Sequence, residues 1–144
     1  MRLVTLICLL GLTLSLSAQI QSPSEFLPHQ LGENFTPHHL LVDYVEHVAA
    51  NSKRVKLVHY GKTNQDRPLV LAIVSSEENI ANLENLRLNN LRKTGMVDGE
   101  NEKELDRAIV WLSYSVHGNE AGGSESSMAV LHELTDVKNK NADT

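Results

Sequence analysis

Two residues of this chain could hold a metal ion together. His117 and Glu120 stand three positions apart, with Gly118 between them, directly after an apolar run. Imidazole nitrogen and carboxylate oxygen are both zinc ligands, with bond lengths of ~2.0 Å and ~2.0–2.2 Å. A catalytic zinc ion usually has three protein ligands and one open position for water. The pair therefore predicts half of a zinc site, with Gly118 letting the chain turn so that Glu120 approaches the imidazole.

The spacing alone is not specific, because a chain with 7 His and 18 Asp and Glu residues contains such pairs by chance. A solvated His and a solvated Glu on a loop are the alternative interpretation. The position of His117 favours the metal site. It follows Ala108 to Val116, whose apolar residues predict a buried strand, and α/β folds place ligands and catalytic groups in the loops after their strands.

The amino end has the pattern of a secretory signal peptide. Arg2 precedes an apolar stretch from Leu3 to Leu16, and small residues follow up to Ala18. We therefore predict a signal peptide over residues 1–18, cleaved after Ala18. A membrane anchor is disfavoured because the stretch is shorter than the ~20 residues of a spanning helix. The mature protein is expected to be secreted or periplasmic, with no membrane span.

The charge of the chain excludes one class of partner. The net charge is −5, and acidic and basic residues are interspersed without a basic patch. Nucleic-acid binding is therefore not expected.

The remaining residues predict alternating helices and strands. Residues 19–36, which contain Pro23 and Pro28, are expected to form an extended leader. After the leader, we predict a helix from Pro37 to about Ala50 with Thr36 as N-cap. Strands at Val55–Tyr60 and Leu69–Val74 are predicted to form an antiparallel hairpin, and a helix follows from a capping box at Ser75 to near Gly95. The last predicted elements are a polar connection, the strand Ala108–Val116 and a helix capped by Ser124. Helices interleaved with strands indicate an α/β fold.

Three segments together resemble the zinc carboxypeptidase family. Residues 113–120, followed by Gly122, Gly123 and Glu125, resemble its metal-binding segment, particularly in bacterial members. Residues 60–69 are similar to its "Gly-x-Ser-x-x-Gly-Arg-Pro" hairpin, and residues 75–87 match the segment after that hairpin. The matches occur in the right order and span nearly the whole mature chain.

The resemblance implies a mixed sheet flanked by helices, with residues 37–144 forming the amino-terminal part of a catalytic domain. It implies zinc-dependent hydrolysis of a peptide bond in a peptide or protein substrate, with His117 and Glu120 as the first two zinc ligands. The family's third zinc ligand, its substrate-binding Arg and its catalytic Glu lie downstream of this segment, and no residue after Glu120 matches them. His132 is interpreted as a residue of the last helix. The chain by itself is therefore expected to be inactive.

Two departures from the family and two alternatives remain. Asp66 stands where the family often has Gly, and Asn119 stands where digestive members often have an Arg that contacts substrate. Glu125 is interpreted as a first-turn charge near the helix dipole. One alternative is a zinc deacylase related to succinylglutamate desuccinylase, which shares His-Gly-Asn-Glu but not the hairpin. The other is a non-catalytic exported fragment that binds zinc weakly or serves as an interaction module.

Overall fold

The computed structural model describes residues 20–136 and residue 139. The predicted signal peptide, residues 1–18, lies outside the described residues. Within the described part of the chain, no helix combines the length and the apolar character needed to span a bilayer.

The leader is only partly extended. Pro23–Phe26 form one helical turn, α1, with Pro23 at its first position, where no N–H is required. The Glu25 carboxylate accepts hydrogen bonds from the N–H and the hydroxyl of Ser22, both at 2.7 Å. Leu27 follows the turn and is buried in the core. The residues before the predicted catalytic domain are thus packed against it.

Leu41, Tyr44, Val45 and Val48 recur at helical spacing and predict one apolar face. Helix α2, His38–Asn51, buries the last three of them. Tyr44 and Val48 lie one turn apart on that face and are both 0% exposed. The predicted cap is wrong by one residue, because Pro37 rather than Thr36 precedes the helix. Thr36 is 1% exposed, and its hydroxyl pairs with His29 Nε2 at 3.2 Å. The Thr36 oxygen is therefore bonded to His29 and does not cap the helix.

Strands β1 (Val55–Lys62) and β2 (Pro68–Val74) form the predicted antiparallel hairpin. Val55 pairs with Val74 and Leu57 with Ala72, and all four contribute to the core. Side chains alternate between faces along a strand, so this register turns one apolar face toward the helices. The register shifts at Tyr60, whose side chain is 63% exposed.

The hairpin loop explains how Asp66 can replace the glycine that the family often has. Asp66 N–H donates to the Thr63 carbonyl at 2.9 Å, and Thr63 N–H donates to the Arg67 carbonyl at 2.9 Å. Asp66 has a φ of +58°. A type I turn followed by a left-handed residue is a common three-residue hairpin loop. Glycine suits the left-handed position best, and aspartate is among the residues that tolerate it.

After β2 the chain forms α3 (Glu77–Ala81) and α4 (Leu83–Lys93), where the sequence predicts one helix. The cap is Ser76, whose Oγ accepts from Asn79 N–H at 3.2 Å, while the predicted cap Ser75 accepts from the Asn79 side-chain amide at 2.9 Å. The chain leaves α4 through Gly95, which has a φ of +71°. The predicted helix end near Gly95 is confirmed.

Hydrogen bonds from Asn89 hold the polar connection that follows α4 against that helix at Glu102. The Asn89 side chain is 0% exposed; Nδ2 donates to the Glu102 carbonyl at 3.0 Å, and Oδ1 accepts from Glu102 N–H at 2.6 Å. Lys93 Nζ forms an ion pair with Asp106 Oδ1 at 2.6 Å. A 3₁₀ turn, Lys103–Leu105, lies between these two contacts. The connection is mostly solvent-exposed, as predicted, but it is anchored at both points.

Helix α5, Ala121–Thr135, completes the core. Its apolar residues Met128 and Leu131 are 0% and 7% exposed, and they pack in one cluster with Tyr44 and Val48 of α2. The helix begins three residues before Ser124, so the predicted cap is wrong. Ser124 lies inside the helix, where its hydroxyl has a different partner.

The predicted buried strand Ala108–Val116 is wrong for this structure. The segment has no regular secondary structure, and its large apolar side chains are exposed, with Val110 at 77% and Trp111 at 72%. A buried strand needs a neighbouring strand to pair its N–H and C=O groups and packed layers to cover its faces. In the described part of the chain, β1 and β2 pair only with each other.

The α/β class is confirmed. The described residues form a two-stranded antiparallel sheet with helices α2 and α5 packed against it. The mixed sheet that the resemblance implies would require a parallel pair of strands, and the described residues contain none.

Candidate metal centre

The structure brings His117 and Glu120 together at the start of α5. His117 Nδ1 lies 3.1 Å from Glu120 Oε1, and Glu120 N–H donates to the His117 carbonyl at 3.0 Å. That backbone bond closes a tight turn through Gly118 and Asn119. Both side chains are exposed, His117 by 70% and Glu120 by 63%.

The separation of these two donor atoms suits a shared zinc ion. With bonds of about 2.0–2.2 Å, two ligands at an angle between 90° and tetrahedral stand roughly 2.9–3.4 Å apart. The Nδ1–Oε1 distance of 3.1 Å falls within that interval. The same distance suits a hydrogen bond from a protonated Nδ1 to the carboxylate, which holds the pair together without a metal ion. The donor set and its spacing therefore fit zinc.

Two ligands are fewer than a zinc site requires. Among residues 20–136 and 139, no group of three His, Cys, Asp or Glu side chains is placed to hold a metal ion. His132 lies in α5, twelve residues beyond Glu120, which directly precedes the helix. A rise of 1.5 Å per residue puts it about 18 Å along the axis. It is too far away to be the third ligand, in agreement with its interpretation as a helix residue.

A close contact between the segment before His117 and α5 was not predicted. Ser115 Oγ lies 2.8 Å from Ser124 Oγ, and Ser115 has a φ of +52°. Gly123 lies so close to Ser115 that its absent Cβ would stand 2.8 Å from the Ser115 nitrogen. The run Gly122-Gly123-Ser124 at a helix start is the signal that could have indicated a close backbone approach.

Glu125 joins α5 to the leader. Its Oε1 accepts from Thr36 N–H at 2.9 Å, and its Oε2 accepts from Gly32 N–H at 3.4 Å. The predicted role of Glu125, a charge near the helix dipole, is therefore incomplete. Its carboxylate satisfies the N–H of a buried residue 89 positions earlier in the chain. No local pattern could indicate that contact.

A separate concave region lies away from this pair. An open groove of about 670 Å³ runs between the first turn of α2 and the hairpin loop, and Phe35, His38 and Arg67 are among the residues that line it. Neither His117 nor Glu120 lines this groove. It is therefore not part of the candidate metal centre.

Comparison with known proteins extends the resemblance from short motifs to most of the chain. The family model described as zinc carboxypeptidase matches residues 41–144. This range is more than half of the 144 residues and includes the hairpin, α5 and the turn from His117 to Glu120. No curated protein and no solved structure matches the chain.

Proposed function

Since the chain belongs to the zinc carboxypeptidase family, we propose that it supplies two zinc ligands, His117 and Glu120, to a metallocarboxypeptidase that hydrolyses peptide bonds. The observation that carries the proposal is the 3.1 Å approach of His117 Nδ1 to Glu120 Oε1 at the start of α5. Two exposed donors at this spacing are suited to share one ion.

In this proposal the chain's own residues would hold the ion. His117 supplies a neutral nitrogen, and Glu120 supplies an oxygen with a negative charge that offsets part of the ion's charge. Zinc, when bound, polarises a substrate carbonyl and lowers the pKa of bound water. The general base and the third ligand are expected from polypeptide beyond this segment.

The segment from Ala108 to Val116 supports completion of the domain by further polypeptide. Its apolar side chains are exposed, with Ile109 at 71% and Val116 at 74%. Large exposed apolar patches mark surfaces that another part of a protein covers. We infer that further polypeptide covers these side chains next to His117.

The proposed protein acts outside the cytoplasm, as the pattern of residues 1–18 indicates. The alternative of a zinc deacylase draws its support from His-Gly-Asn-Glu alone, whereas the family match covers residues 41–144. A non-catalytic exported fragment remains the proposal of a different class. Peptidase activity distinguishes this proposal from the metallocarboxypeptidase. For a non-catalytic fragment, adding the rest of the domain would not produce that activity.

Zinc binding tests the ligand assignment. We expect the 144-residue chain to bind zinc weakly in calorimetry, and His117→Ala and Glu120→Ala each to weaken binding about 10-fold or more, because one of two donors is lost. His39→Ala, an exposed histidine of α2, and Glu133→Ala, an exposed glutamate of α5, are the matched controls. Zinc affinity that is unchanged in His117→Ala would show that His117 is not a ligand.

Peptide hydrolysis tests whether the site is complete. We expect the 144-residue chain with added zinc to show negligible turnover of peptides with a free carboxyl end. Zinc-dependent turnover that disappears in Glu120→Ala would overturn the view that residues from elsewhere are needed.

A further inference from the structure

Ser115, two residues before His117, is held in an unfavourable backbone conformation against the start of α5. Its φ is +52°, in the left-handed region that non-glycine residues rarely occupy. Its Oγ lies 2.8 Å from Ser124 Oγ, and either hydroxyl can donate. Strained residues persist only where surrounding contacts hold them, and such residues are concentrated at functional sites.

Gly123 makes this contact possible. A Cβ at Gly123 would stand 2.8 Å from the Ser115 nitrogen and 2.9 Å from Ser115 Oγ, which is closer than such atoms approach. Gly122 is different, because a Cβ there would meet nothing within 4 Å. The two glycines occupy the same helical turn, and contact with Ser115 distinguishes them.

The hydroxyl pair joins residues nine positions apart, and both proposed ligands lie between them. A short segment pinned at both ends has few conformations, and a site held in its productive arrangement before binding loses less free energy when the ligand arrives. A few tenths of an ångström at Ser115 would move His117 relative to Glu120, which directly precedes α5.

We propose that Ser115, Gly123 and Ser124 form a positioning lock that holds His117 within 3.1 Å of Glu120. These three are positioning residues, since none of them is assigned as a ligand. The purpose of the lock rests on the proposed function, because it would prearrange two donors for one zinc ion. The lock itself is a property of the metal-free protein.

Zinc affinity tests the lock with paired variants. Gly123→Ala and Gly122→Ala gain similar helix propensity, so only the contact with Ser115 separates them. Ser124→Ala removes one oxygen of the lock, while Ser127→Ala removes a hydroxyl that bonds only within the helix, to the Ser124 carbonyl at 2.7 Å. We expect Gly123→Ala and Ser124→Ala to weaken zinc binding about 10-fold and the two controls to change it less than about 2-fold. Equal affinities within each pair would overturn the proposal.

A thermodynamic cycle shows whether the lock acts through His117. In a His117→Ala background, Ser124→Ala should cause no further loss of zinc affinity. A further loss equal to that in the wild type would mean that Ser124 acts elsewhere, and the lock would be refuted.

The metal-free protein provides an independent measurement. Proton NMR should show a nuclear Overhauser effect between the His117 ring and the Glu120 side chain in the wild type, Gly122→Ala and Ser127→Ala, and a much weaker effect in Ser124→Ala. An undiminished effect in Ser124→Ala would refute the lock. This measurement does not depend on zinc, so it still decides the question if His117→Ala shows that the ligand assignment is wrong. Ser124→Ala removes a single atom from a half-buried residue, which keeps the test usable if Gly123→Ala does not fold.

Discussion

Replacing Asn89 with aspartate should make the attachment of the connection to α4 depend on pH. The Asn89 side chain is 0% exposed, donates to the Glu102 carbonyl at 3.0 Å and accepts from Glu102 N–H at 2.6 Å. An ionised carboxylate keeps the acceptor and loses the donor. Its second oxygen would then face the Glu102 carbonyl oxygen in a place that water does not reach.

The expected loss at neutral pH is about 3 kcal/mol of the free energy of unfolding, because a charge is placed in a buried position and the Glu102 carbonyl, which keeps only the Leu105 N–H as a donor, then faces a carboxylate oxygen. A protonated carboxyl restores both bonds, since its O–H donates and its C=O accepts. The pKa of the introduced carboxyl is therefore raised in the folded state. For a raised folded-state pKa, stability is fully present below the unfolded-state value of ~3.9 and is lost as pH rises through the folded-state value. The difference from the wild type should shrink below about 1 kcal/mol near pH 3.

Urea unfolding followed by circular dichroism, from about pH 3 to about pH 7, measures this difference directly. Asn90→Asp is the matched control, because the Asn90 amide makes only long contacts, 3.5 Å to the Leu86 carbonyl and 3.4 Å to the Arg107 carbonyl. Its effect should be about 0.5–1 kcal/mol at most, with little dependence on pH. A difference for Asn89→Asp that does not change with pH would refute the two-bond attachment as the source of stability.

Three further changes follow from other contacts. Glu125→Ala should lower the free energy of unfolding by about 2–3 kcal/mol, because the buried N–H of Thr36 loses a charged acceptor at 2.9 Å. In the same urea experiment, the control Glu133→Ala should lower it by less than about 0.5 kcal/mol. Equal losses in the two variants would contradict the contact between Glu125 and Thr36. Asp66→Val should lower the free energy of unfolding by about 1–2 kcal/mol, because residue 66 has a φ of +58°, whereas Asp66→Gly should not lower it. Equal melting temperatures for the two variants in thermal unfolding would argue against this backbone conformation. Burial raises the pKa of Tyr44 above its ordinary 10.0. The contribution of the neutral Tyr44 side chain to the free energy of unfolding should therefore be complete below about pH 10 and decline above it. Tyr44→Phe should abolish that decline, and an identical decline in both proteins would count against burial as the cause.

Much of the local structure follows from residues near one another in the chain. The apolar spacing of α2 predicted its buried face. The alternating residues 55–60, the continuous apolar run 69–74 and the short connection between them predicted the hairpin. His117 and Glu120 were predicted to approach each other because a short turn through Gly118 permits it, and their donor atoms lie 3.1 Å apart. Turns, caps and amphipathic faces depend on a few neighbouring residues. Errors at these elements were shifts of one to four residues at the helix starts.

Two of the misplaced helix starts have tertiary causes. Thr36 has the right chemistry for an N-cap, but its hydroxyl bonds to His29 and its N–H bonds to Glu125. Ser124 likewise uses its hydroxyl for Ser115. Side chains that can cap a helix also serve other partners, and the competition is decided by which groups the fold brings close.

The sequence by itself determined the family and the two candidate ligands, because the motifs that carry them are short and contiguous. Tertiary structure decided the rest. The segment 108–116 has the composition of a buried strand, yet it is exposed because the described part of the chain provides no strand to pair with it. Strand formation requires partners from elsewhere in the chain, so apolar composition alone cannot ensure it. The contacts of Ser124 with Ser115 and of Glu125 with Thr36 arise for the same reason, since only the packed helix α5 brings those atoms together.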